Sequence, residues 1–133
     1  MTPYIIIKDA ARAITFYKEA FGAIELMRLT NDNGKVRHAE IKIEDSPIMI
    51  VDEFPEYPIM RSPQSLGGVG MHLFLYVDDV DTLFAQAIDA GAKELEAVKN
   101  HSDGDRRGGV MDPFGHIWWI ATHMKGVPLE EIQ

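Results

Sequence analysis

The chain contains no cysteine, and this absence excludes several kinds of site. Without thiols there is no disulfide framework, no thiolate nucleophile and no thiolate-bound zinc ion. A chain free of cysteine is typical of the reducing interior of the cell, and we therefore expect a cytoplasmic protein.

Positive charge is scarce as well. Thirteen Lys and Arg residues stand against 21 Asp and Glu residues, which gives a formal net charge of −8. A field of this sign repels phosphate backbones and anionic lipid surfaces. We therefore expect neither nucleic acid nor membrane among the partners.

Long apolar runs are also missing. The N-terminal string MTPYIIIKDAARA has an apolar run of only a few residues before Lys8 and Asp9, too short for the core of a signal peptide. No other stretch approaches the length of a membrane span. No Ser-His-Asp order, phosphate-binding glycine loop or dinucleotide motif supports hydrolysis by a nucleophile or the use of nucleotides.

The 133 residues, 46% of them apolar, suffice for one domain with a core of its own, and they contain an internal repeat. A short β-branched run at Tyr4 is followed by Asp9 as a helix cap and by apolar residues at helical spacing. The same order returns with MHLFLYV at Met71, and the second helix ends at Gly91. The strings FGAIEL and AGAKEL, at the two helix ends, match each other.

Three strand-like runs separated by turns follow each predicted helix. Each half is therefore predicted to be β-α-β-β-β, with repeats at about 3–52 and 70–124 and a linker rich in Pro and Gly between them. The fold class is α+β. We expect NHSDGDRRGG, residues 100–109, to form a polar loop, and the final GVPLEEIQ to form one helical turn.

Alternation along the strands separates a face that contacts the helices from a face without helices. Trp118 in the last strand is expected on the helix side, in the core. The opposite face is expected to carry aromatic and imidazole groups: His72, Phe74, Tyr76, Trp119 and His123. Such a lining suits an organic ligand of limited polarity.

Several strings resemble the PhnB-like branch of the glyoxalase, bleomycin-resistance and extradiol-dioxygenase superfamily, also called vicinal oxygen chelate proteins. They cover nearly the whole chain: TPYIIIKDAARAITFYKEAFGA, RHAEIKI, SPIMIVDEFPE, SLGG, LYVDDVDTLFAQAIDAGA and GDRRGGVMDPFGHIWWIATH. The last string is the most specific. The resemblance implies a cupped pair of mixed sheets, a homodimer and binding clefts built from the two modules.

The resemblance also implies four positions for a divalent metal, and most of them carry unsuitable residues here. Thr2 stands at the first-strand position of the first module, and Met49 or Ile50 at its last-strand position. Trp119 stands at the last-strand position of the second module, where relatives have Glu. Only His72 matches. Because metal sites need three or four donors, we expect no metal cofactor at these positions. His38 and Glu40, joined by His72 and His123, are the alternative donor set, and a polar strand face is the simpler interpretation of His38 and Glu40.

His72 is the best candidate for chemistry. It is expected to act as a general base, to donate a hydrogen bond to a ligand, or to be an interior histidine with satisfied hydrogen bonds. Arg106 has two interpretations: it binds an anionic group of a ligand from a lid loop, or it pairs with Asp105 or Asp112. In DPFG, Asp112 is expected to cap the turn.

These patterns favour a protein that binds a small, partly aromatic organic molecule without an obligatory metal. The alternative is a metal-dependent lyase, isomerase or dioxygenase of the same superfamily. The ligand-binding residues on the first interpretation are Phe74, Tyr76, Trp119, His123, His38, Glu40 and Arg106.

Overall fold

The computed structural model describes residues 1–124, in which one arrangement of a helix and four strands occurs twice. Module 1 consists of β1 (Tyr4–Ile7), α1 (Ala10–Phe21), β2 (Ile24–Thr30), β3 (Val36–Ile43) and β4 (Ser46–Asp52). Module 2 consists of β5 (Leu73–Tyr76), α3 (Val80–Ala90), β6 (Lys93–Asn100), β7 (Asp105–Met111) and β8 (Ile117–His123). The helical turn predicted in GVPLEEIQ lies outside the described residues.

Each module forms one mixed four-stranded sheet. The strand orders are β1-β4-β3-β2 and β5-β8-β7-β6, and in each sheet the first and last strands of the module pair in parallel. The remaining pairs are antiparallel. The predicted α+β fold of two β-α-β-β-β modules is confirmed.

Local signals in the sequence explain where the helices begin and end. The carboxylate of Asp9 accepts a hydrogen bond from the backbone N–H of Arg12, and α1 ends at Gly22, whose φ of 68° suits glycine. The carboxylate of Asp79 caps α3 in the same way, by accepting from the N–H of Thr82. The predicted cap at Asp9 is therefore confirmed.

A single apolar core joins the modules, because α1 packs on α3 and also reaches the second sheet. Trp118 is only 2% exposed, and its ring centre lies 5.4 Å from that of Tyr17 and 4.7 Å from that of Phe21, both on α1. The predicted core position of Trp118 is confirmed. Burying aromatic rings from both modules in one cluster stabilises the two halves together.

Two segments between strands differ from what their composition indicates. The linker contains a single helical turn, α2 (Pro63–Leu66), capped by the hydroxyl of Ser62. The predicted loop at 100–109 is wrong, because β7 begins at Asp105 and only residues 101–104 connect it to β6. Backbone pairing with β8 on one side and β6 on the other overrides the polar, glycine-rich composition. None of the helices within residues 1–124 is long and apolar enough to cross a membrane.

Candidate functional site

The side of the second sheet that carries no helix exposes an aromatic surface. Phe74 is 49% and Tyr76 56% exposed, whereas Leu75 between them is buried against the helices. The parallel register places Trp119 beside Phe74 and Ala121 beside Tyr76. We call the surface formed by Phe74, Tyr76 and Trp119 the aromatic face.

The indole of Trp119 packs closely against β7, because the residue opposite it on that strand is a glycine and has no side chain. Gly109 pairs with Trp119 across β7 and β8, and a Cβ atom at Gly109 would lie 2.9 Å from Cζ3 of the indole. The indole Nε1–H donates a hydrogen bond of 3.0 Å to Nδ1 of His72. Neutral His72 therefore carries its proton on Nε2.

His72 precedes the first residue of β5, and its side chain is exposed. The interior position, which was one of the three alternatives for this residue, is therefore wrong. Because β5 starts at Leu73, two residues later than MHLFLYV predicts, His72 lies at the edge of the aromatic face, where it orients Trp119.

A buried carboxylate fixes the other end of the aromatic face. Asp105 is 4% exposed; its Oδ2 accepts a 2.8 Å hydrogen bond from the hydroxyl of Tyr76, and its Oδ1 lies 3.1 Å from Nδ1 of His123. The hydrogen bond to Asp105 raises the pKa of the Tyr76 phenol, and burial adds to the shift. Tyr76 therefore remains a neutral donor to Asp105 at neutral pH.

A second charged pair lies next to Asp105. Nη1 of Arg107 lies 2.6 Å from Oδ2 of Asp103 and 4.0 Å from Oδ2 of Asp105. Two hydrogen bonds lower the pKa of the Asp103 carboxyl. The bond from the backbone N–H of Asp105 has the larger effect, and the bond from Arg107 has the smaller one. An open groove of about 530 Å³ is formed by these groups and the aromatic face: Phe74, Tyr76, Glu96, Asp103, Asp105, Arg107 and Trp119.

Arg106 lies on the opposite side of the second sheet. Its guanidinium donates two hydrogen bonds of 2.9 Å to the carboxylate of Asp81 on α3, and a third of 3.1 Å to Asn100. The expected pairing with Asp105 or Asp112 is wrong. The expected place in a lid loop is wrong as well, because alternation along β7 directs Arg107, and not Arg106, to the side of Trp119.

His38 and Glu40 lie on β3 of the first sheet and pair with each other, with 3.0 Å between Nε2 and Oε2. This pairing agrees with a polar strand face. The structure therefore does not bring these two residues together with Phe74, Tyr76 and Trp119 in the groove described above.

The four metal positions of the resembling family do not hold a set of metal donors in this chain. Met49 lies beside Tyr4, and Trp119 lies beside Phe74. A thioether and an indole are poor ligands for hard divalent cations, and His72 accepts a hydrogen bond from that indole. In the part of the chain that the structure describes, no group of three or more His, Asp or Glu side chains is placed to hold a metal ion.

The DPFG turn is a structural device, as predicted. Oδ1 of Asp112 accepts hydrogen bonds of 2.9 and 3.0 Å from the backbone N–H groups of Phe114 and His116. The ring of His116 bonds through Nε2 to the carbonyl oxygen of Ile6, at 3.2 Å. These side chains therefore hold the turn and connect it to module 1.

Sequence reasoning missed three charged residues of the groove: Asp105, Arg107 and Glu96. Asp105 and Arg107 alternate with Gly109 along β7, opposite His123, Ala121 and Trp119. For Asp105 and Arg107 the alternation is the available signal, but it has a meaning only for a strand, and the composition of residues 100–109 predicts a loop.

Comparison with known proteins identifies the family of this chain. A family model described as the Glyoxalase/Bleomycin resistance protein/Dioxygenase superfamily matches residues 3–120. Rv0887c of Mycobacterium tuberculosis is 40% identical over 135 residues, a match that covers all of this chain and 79% of that protein.

Two solved structures have the same fold. The gene product At5g48480 of Arabidopsis thaliana superposes with a TM-score of 0.73 at 29% identity, over 91% of this chain and 96% of that chain. The PhnB protein of Bacillus cereus superposes with a TM-score of 0.70 at 18% identity, over 92% and 98% of the two chains.

Proposed function

Because the chain belongs to the glyoxalase, bleomycin-resistance and dioxygenase superfamily, we propose that it binds a small, partly aromatic organic molecule on the aromatic face, without an obligatory metal. The observation that carries this proposal is the exposure of Phe74 and Tyr76, each about half exposed, beside Trp119 in an open groove. Contiguous exposed apolar surface on a folded domain is typical of a binding site.

The arrangement of the groups suits a flat ligand with one polar end. Phe74 and Tyr76 lie with their ring centres 5.1 Å apart and their planes tilted by 41°, so a further ring can pack against them. Asp105 and Arg107 lie at the polar end of the same groove. Apolar walls supply contact area and a few polar groups supply orientation, as in most ligand pockets.

The alternative function, a metal-dependent lyase, isomerase or dioxygenase, requires donors that the family positions lack. Elemental analysis of purified protein distinguishes the two. A stoichiometric content of zinc, nickel, manganese or iron that persists after dialysis would overturn the proposal.

A thermal-shift screen with aromatic compounds, run with and without a chelator, tests the proposed function. A true ligand raises the melting temperature by mass action, and the chelator should leave that rise unchanged.

Phe74→Ser should weaken binding about fivefold or more, because an exposed ring contributes contact area to the ligand. Tyr57→Ser, which removes an exposed ring from the linker, is the matched control and should bind normally.

We further propose that the protein is a cytoplasmic homodimer. A row of exposed apolar side chains on β2 supports a second copy as the partner: Ile24, Leu26 and Leu29, each more than half exposed. Analytical ultracentrifugation should give twice the chain mass, and Leu29→Glu should favour the monomer. A wild-type chain that sediments as a monomer even at the highest concentration at which it stays dissolved would contradict the dimer.

A further inference from the structure

Carboxylates surround the aromatic face. On one side of Phe74 and Tyr76 lies the groove already described, in which Glu96, Asp103 and Asp105 meet the single guanidinium of Arg107. A second open groove of about 710 Å³ shares the same two rings. Its charged and imidazole groups are Glu44, Asp45, Asp78 and His123.

The charges of these two grooves do not cancel. Arg107 is engaged with Asp103 at 2.6 Å. No hydrogen bond or ion pair within residues 1–124 involves the carboxylates of Glu44, Asp45, Asp78 and Glu96. Among residues 1–124, the linings of the two grooves therefore hold six carboxylates against one guanidinium and one imidazole, in a chain whose formal net charge is −8.

We propose that the ligand of the aromatic face is a cation, an organic molecule that carries an aromatic ring and a protonated amine. This inference rests on the proposed function and adds the charge of the ligand to it. An ammonium group is attracted by the ring faces of Phe74 and Tyr76 and by the carboxylates beside them. An anion of the same shape is repelled by those carboxylates.

Three probes of matched shape separate charge from shape: 3-phenylpropylamine, 3-phenylpropanol and 3-phenylpropionate. Titration calorimetry of the full chain at pH 7 and low ionic strength should show the amine binding about tenfold more tightly than the alcohol. The propionate should bind most weakly. Raising the salt concentration should reduce the advantage of the amine, because exposed charges are screened.

A pair of double variants locates the effect. Glu96→Gln combined with Asp78→Asn removes one carboxylate from each groove, and both side chains are exposed, so the fold should persist. The preference for the amine over the alcohol should fall about threefold or more. Glu19→Gln with Asp89→Asn makes the same change of charge in a groove beside α3, away from the aromatic face, and should leave the preference unchanged.

The possible results are distinct. If the alcohol binds and the amine binds no more tightly, the charge inference is wrong and the proposed function stands. If none of the three probes binds at millimolar concentration while the chain is folded, both are overturned. A preference for the amine that both double variants reduce equally would show a general effect of net charge and would overturn the assignment to these carboxylates.

Discussion

One carboxylate, that of Asp112, accepts hydrogen bonds from four donors. Oδ1 serves two backbone N–H groups of its own turn, and Oδ2 accepts from the hydroxyl of Tyr17 at 2.6 Å and from the indole of Trp118 at 2.9 Å. Asp112 is buried, as are both side-chain donors. A buried acceptor with this many partners cannot be replaced by another group without leaving donors unsatisfied.

Asp112→Asn should lower the free energy of unfolding by about 3 kcal/mol, because its NH₂ group would face the donors of Tyr17 and Trp118. Urea denaturation followed by circular dichroism measures the change. Tyr17→Phe removes only one donor and should cost about 1 kcal/mol. An Asp112→Asn chain as stable as the wild type would show that these bonds contribute nothing net.

Stability should depend on pH in the alkaline range through Tyr17. Complete burial, with a further contribution from Asp112, raises the pKa of its phenol well above the ordinary value of 10.0. The folded chain therefore holds this proton more tightly than the unfolded chain does. The resulting stabilisation is complete below pH 10 and is lost as the pH rises through the folded-state pKa.

Unfolding free energies measured between pH 8 and pH 11 should therefore decline above about pH 10. Tyr17→Phe should reduce that decline. Tyr57→Phe, which changes an exposed tyrosine of the linker, is the control and should leave the decline unchanged. Tyr76→Phe should also reduce the decline in part, because the bond to Asp105 raises the pKa of its phenol as well. An equal decline in the wild type and in Tyr17→Phe would refute the assignment.

Arg106 and Asp81 form an exposed, two-bond ion pair on the helix side of the second sheet. Arg106→Ala should therefore change the stability little, because solvent screens an exposed pair, and it should leave the affinity for aromatic probes unchanged. Asp81→Asn should have the same small effect, and the double variant should show whether the two are coupled. A large loss of probe binding in Arg106→Ala would contradict its placement away from the groove.

Among the elements, β7 carries two adjacent glycines, and an aromatic ring approaches each of them closely. Gly108 and Gly109 are adjacent and therefore face opposite sides of the sheet. A Cβ atom at Gly108 would lie 2.7 Å from the ring of Phe84, in the core, whereas one at Gly109 would touch Trp119. The two glycines let a core ring and a surface ring approach the same strand.

The two alanine variants should therefore fail in different ways. Gly108→Ala should cost about 1–3 kcal/mol through overpacking against Phe84 and Val98. Gly109→Ala should cost less, because Trp119 can move into solvent, and it should weaken probe binding and break the bond to His72. Tryptophan fluorescence and denaturation together distinguish the outcomes, and equal losses of stability would contradict this account.

The same strand marks the limit of what the sequence reveals. Helices with clear caps and strands with strict alternation, such as α1 and β5, could be predicted because the deciding forces are local. The composition of GDRRGG is polar and rich in glycine and therefore predicts a loop, but backbone pairing with β6 and β8 makes it a strand. Phe74, Tyr76, Trp119 and His123 were therefore accessible to sequence reasoning, while Asp105 and Arg107 were not.

At the scale of the whole molecule, the prediction of two β-α-β-β-β modules and of the family is confirmed. The contacts between the modules were not predictable, because they join residues far apart in the chain. The Tyr17 hydroxyl of module 1 bonds to Asp112 of module 2, and Gln86 of α3 bonds to the carbonyl oxygen of Ala20 on α1, at 3.0 Å. No local pattern indicates which partner such groups choose.

These links make each module depend on the other. Without module 2, Tyr17 would face water and its phenol would lack Asp112. Without module 1, Trp118 would face water and Asp112 would lack the phenol. Each module therefore needs the other to cover its inner side, so the two should unfold together in one cooperative transition.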